Sequence, residues 1–254
     1  LGLAYSKKQN FVSAISEFKK AISIDPNEEA IYYNLGLAYD NNEETDEAID
    51  TYKKVIELNT KHIDAIFHLG VLYRKKELFD KAITEFKKVI SANTSNVEAH
   101  YHLGCCYEEK GSTASAKKEF VNAIKSNPQH IPSLYCLGII YMKNEDSNDA
   151  ASNFKAILEI DSDNHDAHYN MGLLYYKEEK YDDAIAEFKE ALDKRNDNAD
   201  IYYNMGLAYF KKNLYEDAIS AFKNTLNTRN KHVDALHELG NSYNSIGNHE
   251  KAIS

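Results

Sequence analysis

The glycines of this chain recur every 34 residues, and this interval limits what the chain can fold into more than any other feature. Eight of the ten glycines follow it without an insertion: Gly2, Gly36, Gly70, Gly104, Gly138, Gly172, Gly206 and Gly240. A constant period of this length indicates tandem repeats, in which each unit buries its apolar face only against its neighbours. We therefore expect a stacked array of repeats rather than ordinary globular domains.

Other residue types keep the same period. With Glu29 as position 1, the glycines fall at position 8, position 11 is always Tyr, position 20 is always Ala, and position 24 is aromatic wherever the chain reaches it. Apolar residues at positions 4, 7, 8 and 11, and again at 20, 21, 24, 27 and 28, have the spacing of two helices. The small residues at positions 8 and 20 mark the predicted closest approach of these helices, and the ring at position 24 should fill the wider gap beside it.

Two turns should separate the helices. The first lies near position 15, where Gly111, Gly247, Asn213 and several Glu occur. The second lies at positions 31 to 34, where pairs that stop or cap a helix are found: Asp25-Pro26, Asn127-Pro128, Asp163-Asn164 and Asp197-Asn198.

These columns resemble the tetratricopeptide repeat family, whose pattern has Leu-Gly at 7 and 8, Tyr at 11, Ala at 20, an aromatic residue at 24 and Pro at 32. The resemblance covers the whole chain and implies an all-α fold, a right-handed superhelical solenoid of antiparallel helix pairs. It implies a single solenoid over 1–254, with a partial repeat 1–28, full repeats 29–62, 63–96, 97–130, 131–164, 165–198 and 199–232, and a partial repeat 233–254. The chain lacks Trp at position 4 and has Pro at 32 only at Pro26 and Pro128. Because both ends cut a helix, we expect a piece of a longer protein.

Composition argues against two classes of partner. Asp and Glu number 40 against 30 Lys and Arg, so the net charge of -10 repels the phosphate backbone of nucleic acids. No apolar run approaches the roughly 20 residues of a membrane-spanning helix, so we expect no membrane partner. The three cysteines, Cys105, Cys106 and Cys136, are too clustered and too few for a disulfide framework. They indicate a reducing compartment, the cytoplasm or the nucleus.

The resemblance also indicates where to look for a binding surface. In that family the first helix of each pair lines the concave face, and positions 2, 5, 6, 9, 12 and 13 point inward. Positions 5 and 9 form an aromatic and aliphatic stripe that suits apolar side chains of a partner segment. Its members are Tyr33, Phe67, Tyr101, Tyr135, Tyr169 and Tyr203, with Leu37, Val71, Ile139, Leu173 and Leu207. Such rows also arise from core packing, and this alternative remains open.

Position 6 carries amides and imidazoles: Asn34, His68, His102, Asn170 and Asn204. An Asn amide has one acceptor oxygen and two donor hydrogens, so repeated Asn residues can pair with the backbone of an extended peptide. Asn170 and Asn204 each follow an acid at position 2, Asp166 and Asp200. This arrangement resembles the ladder that holds extended polypeptide in the repeat region of O-linked N-acetylglucosamine transferase. The alternative is solvated polar filler.

Charged residues frame the predicted groove. Position 2 is mostly acidic, as at Asp166 and Asp200, and position 13 is often Lys, as at Lys177 and Lys211. An acidic edge facing a basic edge would orient a bound strand, although the same charges also complement the helix dipoles. Family members that clamp the C-terminal carboxylate of heat-shock chaperones have Lys at 5 and Asn at 9, so we expect no such clamp here.

We predict no catalytic, cofactor or metal site. His102 has helical spacing to Cys105 and Cys106, so these side chains share one helix. Further ligands would have to come from neighbouring helices, where equivalent side chains lie about 8–10 Å apart. That separation is too large for ligands that must each lie about 2.0–2.3 Å from one ion. No phosphate loop, nucleophile elbow or zinc-protease helix occurs in the sequence.

The sequence therefore predicts a protein interaction scaffold, not an enzyme, that binds an extended or helical segment of another protein in its groove. Two alternatives remain open. The chain could be the substrate-selecting region of a larger enzyme such as a glycosyltransferase, or a structural subunit that self-associates through exposed end repeats.

Overall fold

The computed structural model describes residues 1–192 and 198–252, and their regular secondary structure is entirely α-helical. This confirms the predicted all-α class. The chain divides into two compact units, Leu1–Ser133 and Leu134–Ser254, with helix α9 (Ile131–Lys143) beginning in the last residues of the first. The first unit also contains α1 (Gly2–Lys7), α2 (Phe11–Ile24), α3 (Glu29–Asn41), α4 (Thr45–Leu58), α5 (Ile63–Lys75), α6 (Phe79–Ala92), α7 (Val97–Glu109) and α8 (Thr113–Ser126). The second continues with α10 (Ser147–Ile160), α11 (His165–Lys177), α12 (Tyr181–Leu192), α13 (Ala199–Lys211), α14 (Tyr215–Thr228), α15 (Val233–Ser245) and α16 (His249–Ala252).

Helices that follow one another in sequence pack against one another. In the first unit this holds from α1 to α8, and in the second from α10 to α16. The odd-numbered helices, which carry positions 1 to 13, are the first members of the predicted pairs, and the even-numbered helices are the second. The surface that the odd-numbered helices present within each unit is called the A-helix face below. The predicted helix pair in each repeat is confirmed.

The turn inside each pair has one backbone geometry. Position 15 has a positive φ in all eight cases: Gln9, Glu43, Glu77, Gly111, Glu145, Glu179, Asn213 and Gly247, at 57° to 76°. The N–H of the next residue bonds to the carbonyl oxygen of the Tyr at position 11, as from Leu78 to Tyr73 at 2.8 Å. This six-to-one bond closes a Schellman motif, which requires a left-handed residue whether or not that residue is Gly.

The glycine at position 8 lies directly beneath the aromatic ring at position 24. A Cβ atom built on any of the seven position-8 glycines from Gly2 to Gly206 would lie 2.5–2.8 Å from the Cε1 atom of that ring. Real Cβ atoms do not approach this closely, so only Gly fits. The ring was predicted beside the two small residues, and it instead lies over the glycine itself. The alanines at position 20 are fully buried wherever a ring covers the repeat.

The second turns are capped by side chains. The Oδ1 atom of Asn164 accepts from the N–H of Ala167 at 3.1 Å, and Asn96 and Asn198 cap α7 and α13 in the same way. His62 caps α5 through its Nδ1 atom at 3.2 Å. The predicted capping role of this turn is confirmed at these residues, whereas Asp197 lies outside the described residues.

Candidate functional site

The predicted stripe at positions 5 and 9 lies on the A-helix face. All eleven of its side chains are partly exposed, so they are neither core nor freely solvated. Each ring at position 5 also contacts the buried ring at position 24 of its own repeat, with centroids 5.9–6.2 Å apart, as in Phe67 on Phe86 and Tyr169 on Phe188. One edge of the stripe is therefore supported by the core, and the other is open to a ligand.

In the first unit, two residues at position 6, His68 and His102, are imidazoles. The ring of His68 stacks on Tyr52 with centroids 5.4 Å apart, and that of His102 stacks on Phe86 at 5.5 Å. Burial lowers the pKa of both histidines, to about 4 for His102, where the charge of Arg74 contributes further. Both rings are therefore neutral at pH 7, and they continue the aromatic surface of the stripe.

In the second unit, two residues at position 6, Asn170 and Asn204, are amides that are already hydrogen bonded. Asn204 donates to the carbonyl oxygen of Asp200 at 2.8 Å and to the hydroxyl of Tyr169 at 3.0 Å. Asn170 donates to the carbonyl of Asp166 at 2.7 Å and is only 5% exposed, and its amide opposes the rise in the pKa of Tyr135 that burial causes. Each Asn thus links its helix to the Tyr at position 5 of the preceding repeat.

Asn34 has a different neighbourhood. Its amide donates to the carbonyl oxygen of Ala30 at 2.6 Å. Together with Leu37 it lines a cavity of about 600 Å³ beside α1. Among the three predicted amides, Asn34 and Asn204 are partly exposed and accessible to a ligand, and Asn170 acts mainly through Tyr135.

The predicted charged edges are exposed on the second unit. Asp200 pairs with Arg229 at 3.0 Å, and Lys177 pairs with Glu145 at 3.5 Å. Asp166 lies in the first turn of α11, and Lys211 lies in the last turn of α13. These locations complement the helix dipoles, so helix stabilisation accounts for the charges without a ligand.

Position 12 is part of the same face, although its side chains were not among the predicted binding residues. The ring of Tyr176 meets Tyr181 at 5.5 Å, and Phe210 meets Tyr215 at 5.4 Å, both edge to face. In the first unit the same position holds Arg74. The signal was available in the sequence, because position 12 is one of the inward columns of the family.

The histidines and cysteines form no metal centre within residues 1–192 and 198–252, where no three His, Cys, Asp or Glu side chains could hold one ion. Cys106 is fully buried, and burial raises the pKa of its thiol to about 12. His100 bonds Glu119 at 2.6 Å and the carbonyl of Thr94 at 3.0 Å, which is the satisfied environment expected of an imidazole in the core. None of the described helices is long and apolar enough to cross a bilayer.

Models of one family match most of the chain. A model described as TPR repeat matches residues 2–43 and 174–213. Two models described as tetratricopeptide repeat match residues 30–62, and residues 63–96, 97–130 and 199–230. The chain belongs to the tetratricopeptide repeat family.

Solved structures of other proteins have the same fold. The C-terminal part of a TPR repeat-containing protein from Cytophaga hutchinsonii is 19% identical over 94% of this chain and 98% of that one, with a TM-score of 0.78. YrrB, a TPR protein with an unusual peptide-binding site, is 23% identical over 73% and 96%, with a TM-score of 0.65. MamA is 26% identical over 68% and 94%, with a TM-score of 0.61. No curated protein matches the chain in sequence.

Proposed function

We propose that this tetratricopeptide repeat protein is an interaction scaffold whose A-helix face binds an extended or helical segment of another protein. The observation that carries the proposal is the row of partly exposed aromatic and aliphatic side chains at positions 5 and 9. Rings held on one edge by the core lose little conformational freedom when a ligand covers the other edge, which favours binding. The peptide-binding site of YrrB, which shares the fold, is consistent with this role.

The second unit offers polar groups for the backbone of the segment. Asn204 uses its amide hydrogens on Asp200 and Tyr169, which leaves its Oδ1 atom as an acceptor for a peptide N–H. The Tyr169 hydroxyl accepts from Asn204, so its own hydrogen can be donated to a peptide carbonyl. In this proposal Tyr135 and Tyr169, rather than the Asn residues alone, provide donors along the face.

The test is a binding measurement with selected peptides. Twelve-residue peptides from a random displayed library are selected on the immobilised chain, and their affinities are measured by fluorescence anisotropy. Loss of one neutral hydrogen bond costs about 0.5–1.5 kcal/mol, so Tyr169→Phe should weaken binding roughly 2- to 12-fold.

The matched control is Tyr209→Phe, because Tyr209 packs against the buried residues between helices. It should leave affinity unchanged. Selected peptides that bind both variants as tightly as the parent chain would place recognition elsewhere and refute the proposal.

A second candidate, association with another copy of the chain, is favoured by exposed apolar side chains on the first repeat. Ile24 is 85% exposed, Val12 69% and Leu3 56%. Exposed aliphatic groups of this size favour a contact that removes them from water. Light scattering over a range of concentrations tests this: a constant monomer mass excludes it, and a dimer lost on Ile24→Ser supports it.

A further inference from the structure

In two repeats of the second unit, a ring at position 12 packs on a ring at position 17 across the turn inside the repeat. Tyr176 meets Tyr181 with centroids 5.5 Å apart, and Phe210 meets Tyr215 at 5.4 Å, both edge to face. This is a favourable geometry for two aromatic rings, and it covers part of the surface of each. A ring at position 17 can therefore hold a second ring at this turn.

The first repeat has only one member of such a pair. Position 17 is the partly exposed Phe11, whereas position 12 is Ser6. Ser6 is the smallest residue in its column, whose other members are Asp40, Arg74, Glu108, Met142, Tyr176, Phe210 and Asn244. The ring of Phe11 therefore has no second ring from position 12 of its own repeat.

The cavity of about 600 Å³ beside α1 lies at this place. Ser6 lines it from the last turn of α1 and Phe11 from the first turn of α2, while Asn34, Leu37 and Asn41 line it from α3. Its volume is in the range of cavities that bind small ligands. A cavity bordered by an aromatic ring thus takes the place of the larger side chain that other repeats have at position 12.

Polar groups line the cavity together with the apolar ones. The Nδ2 atoms of Asn34 and Asn41 each donate to the carbonyl oxygen four residues earlier, to Ala30 at 2.6 Å and to Leu37 at 2.7 Å. Because the amide nitrogen is bound to its own helix, the Oδ1 atom of each Asn is left as an acceptor. A ligand group that donates a hydrogen bond suits these oxygens.

The charge of the lining complements an aromatic ring. Among the described residues that line the cavity there is one cation, Lys7, and no carboxylate, although the chain has a net charge of -10. Elsewhere in the first unit lysine ammonium groups lie over tyrosine rings, as Lys19 does 5.4 Å from the centroid of Tyr39. The negative face of a ring attracts such a cation, whereas a Lys or Arg side chain of a ligand would be repelled by it.

We infer that this cavity is a subsite for an aromatic side chain that also donates a hydrogen bond, a tyrosine or tryptophan of the bound segment. The inference rests on the function proposed above. The incoming ring takes the place that the position-12 ring has in α11 and α13 and packs on Phe11. Its O–H or N–H group donates to the Oδ1 atom of Asn34 or Asn41, and the Lys7 ammonium group is available to the face of the ring.

Fluorine NMR signals of the phenylalanines test the inference. The whole chain is labelled with 4-fluorophenylalanine, and Phe11→Leu and Phe210→Leu identify two of its ten phenylalanine signals. Phe210 is the internal control, because its ring is already paired with Tyr215. The probes are the acetylated and amidated pentapeptide Gly-Gly-Tyr-Gly-Gly and its Phe, Leu and Glu counterparts.

The Tyr peptide should shift the Phe11 signal saturably and leave the Phe210 signal unchanged. An aromatic pair and one neutral hydrogen bond each change an affinity roughly 2- to 12-fold. The Tyr peptide should therefore bind roughly 2- to 12-fold more tightly than the Phe peptide, and the Phe peptide more tightly than the Leu peptide by a similar factor.

A variant that fills the cavity tests the location. Ser6→Tyr introduces the residue that α11 has at position 12, and it should abolish the shift that the Tyr peptide causes. Ser6→Ala is the matched control, because it keeps the cavity open, and it should bind the Tyr peptide as the parent chain does. Circular dichroism checks that both variants are folded, and the peptide series tests the inference on the parent chain whether or not Ser6→Tyr folds.

Four results would overturn the subsite. They are no shift of the Phe11 signal with the Tyr peptide, equal affinities for the Tyr peptide and either apolar counterpart, tighter binding of the Glu peptide, or undiminished binding by folded Ser6→Tyr. If one of these is found while selected peptides still lose affinity in Tyr169→Phe, the subsite is wrong and the proposed function stands. If Tyr169→Phe also has no effect, both are wrong.

Discussion

Gly172→Ala tests the central packing contact of the repeat. A Cβ atom at Gly172 would lie 2.5, 2.6 and 3.1 Å from the Cε1, Cδ1 and Cζ atoms of Phe188, whose ring is fully buried. Ordinary van der Waals contact begins at 3.4 Å, so the ring or the helix must move by almost 1 Å in a close-packed interior.

The expected change in the free energy of unfolding of Gly172→Ala follows from two opposing contributions. Replacing Gly by Ala inside a helix stabilises it by about 1 kcal/mol, and overpacking a core costs about 1–3 kcal/mol. Gly240→Ala is the matched control in the same column, because a Cβ there meets only the carbonyl oxygen of Ala252, at 3.3 Å. Gly240→Ala should therefore show only the stabilisation that Ala gives a helix relative to Gly. The two variants should therefore differ in free energy of unfolding by about 1–3 kcal/mol, with Gly172→Ala the less stable.

Chemical denaturation followed by circular dichroism measures this difference, and hydrogen exchange should locate the loss in α11 and α12. A double-mutant cycle identifies the cause. Phe188→Leu removes the ring and should destabilise the Gly172→Ala variant by at least about 1 kcal/mol less than it destabilises the parent chain. Equal stability of Gly172→Ala and Gly240→Ala, or an equal cost of Phe188→Leu in both backgrounds, would show that the ring does not exclude a side chain at position 8.

Three further predictions concern single residues. The pKa of His102 in the folded chain, about 4, is below its ordinary value of 6.5, so the unfolded chain takes up the proton first as the pH falls. The free energy of unfolding should therefore fall by up to about 3 kcal/mol between pH 6.5 and 4. His102→Phe should remove this fall in denaturation curves measured at the two pH values, and the same fall in the variant would contradict the assignment. Asn164→Ala should lower the free energy of unfolding by about 1 kcal/mol, since it removes the cap of α11; an unchanged denaturation midpoint would exclude a capping role. Glu145→Gly should raise it by about 1 kcal/mol, because Glu145 has a φ of +65°, and a lower thermal midpoint would count against backbone strain there.

Much of the fold was predictable because the same residue types recur at the same structural positions in successive repeats. The columns of Gly, Tyr and Ala fixed the period, the helix pairs and the two turns, and the structure confirms them. One detail was wrong: the ring at position 24 lies on the glycine and not beside it. The spacing of apolar residues gives the buried face of each helix, but it does not tell which of two small residues a ring will cover.

The candidate site was less accessible to sequence reasoning. The Asn residues at position 6 suggested pairing with a peptide backbone, but their spacing could not show that Asn170 and Asn204 each donate to a carbonyl oxygen of their own helix. Arg74 was not singled out, because one charged residue in a variable column has no periodicity to mark it.

The sequence by itself determined the family, the helix pairs and the columns that reach the A-helix face. These follow from contacts within one repeat, where spacing along the chain fixes distance in space. The tertiary structure decided which polar groups on that face are satisfied. The Tyr169 hydroxyl and the Asn204 amide are 35 residues apart and meet at 3.0 Å only because successive repeats dock in one register. The same docking encloses the Nε atom of Arg74 and the Nδ1 atom of His102.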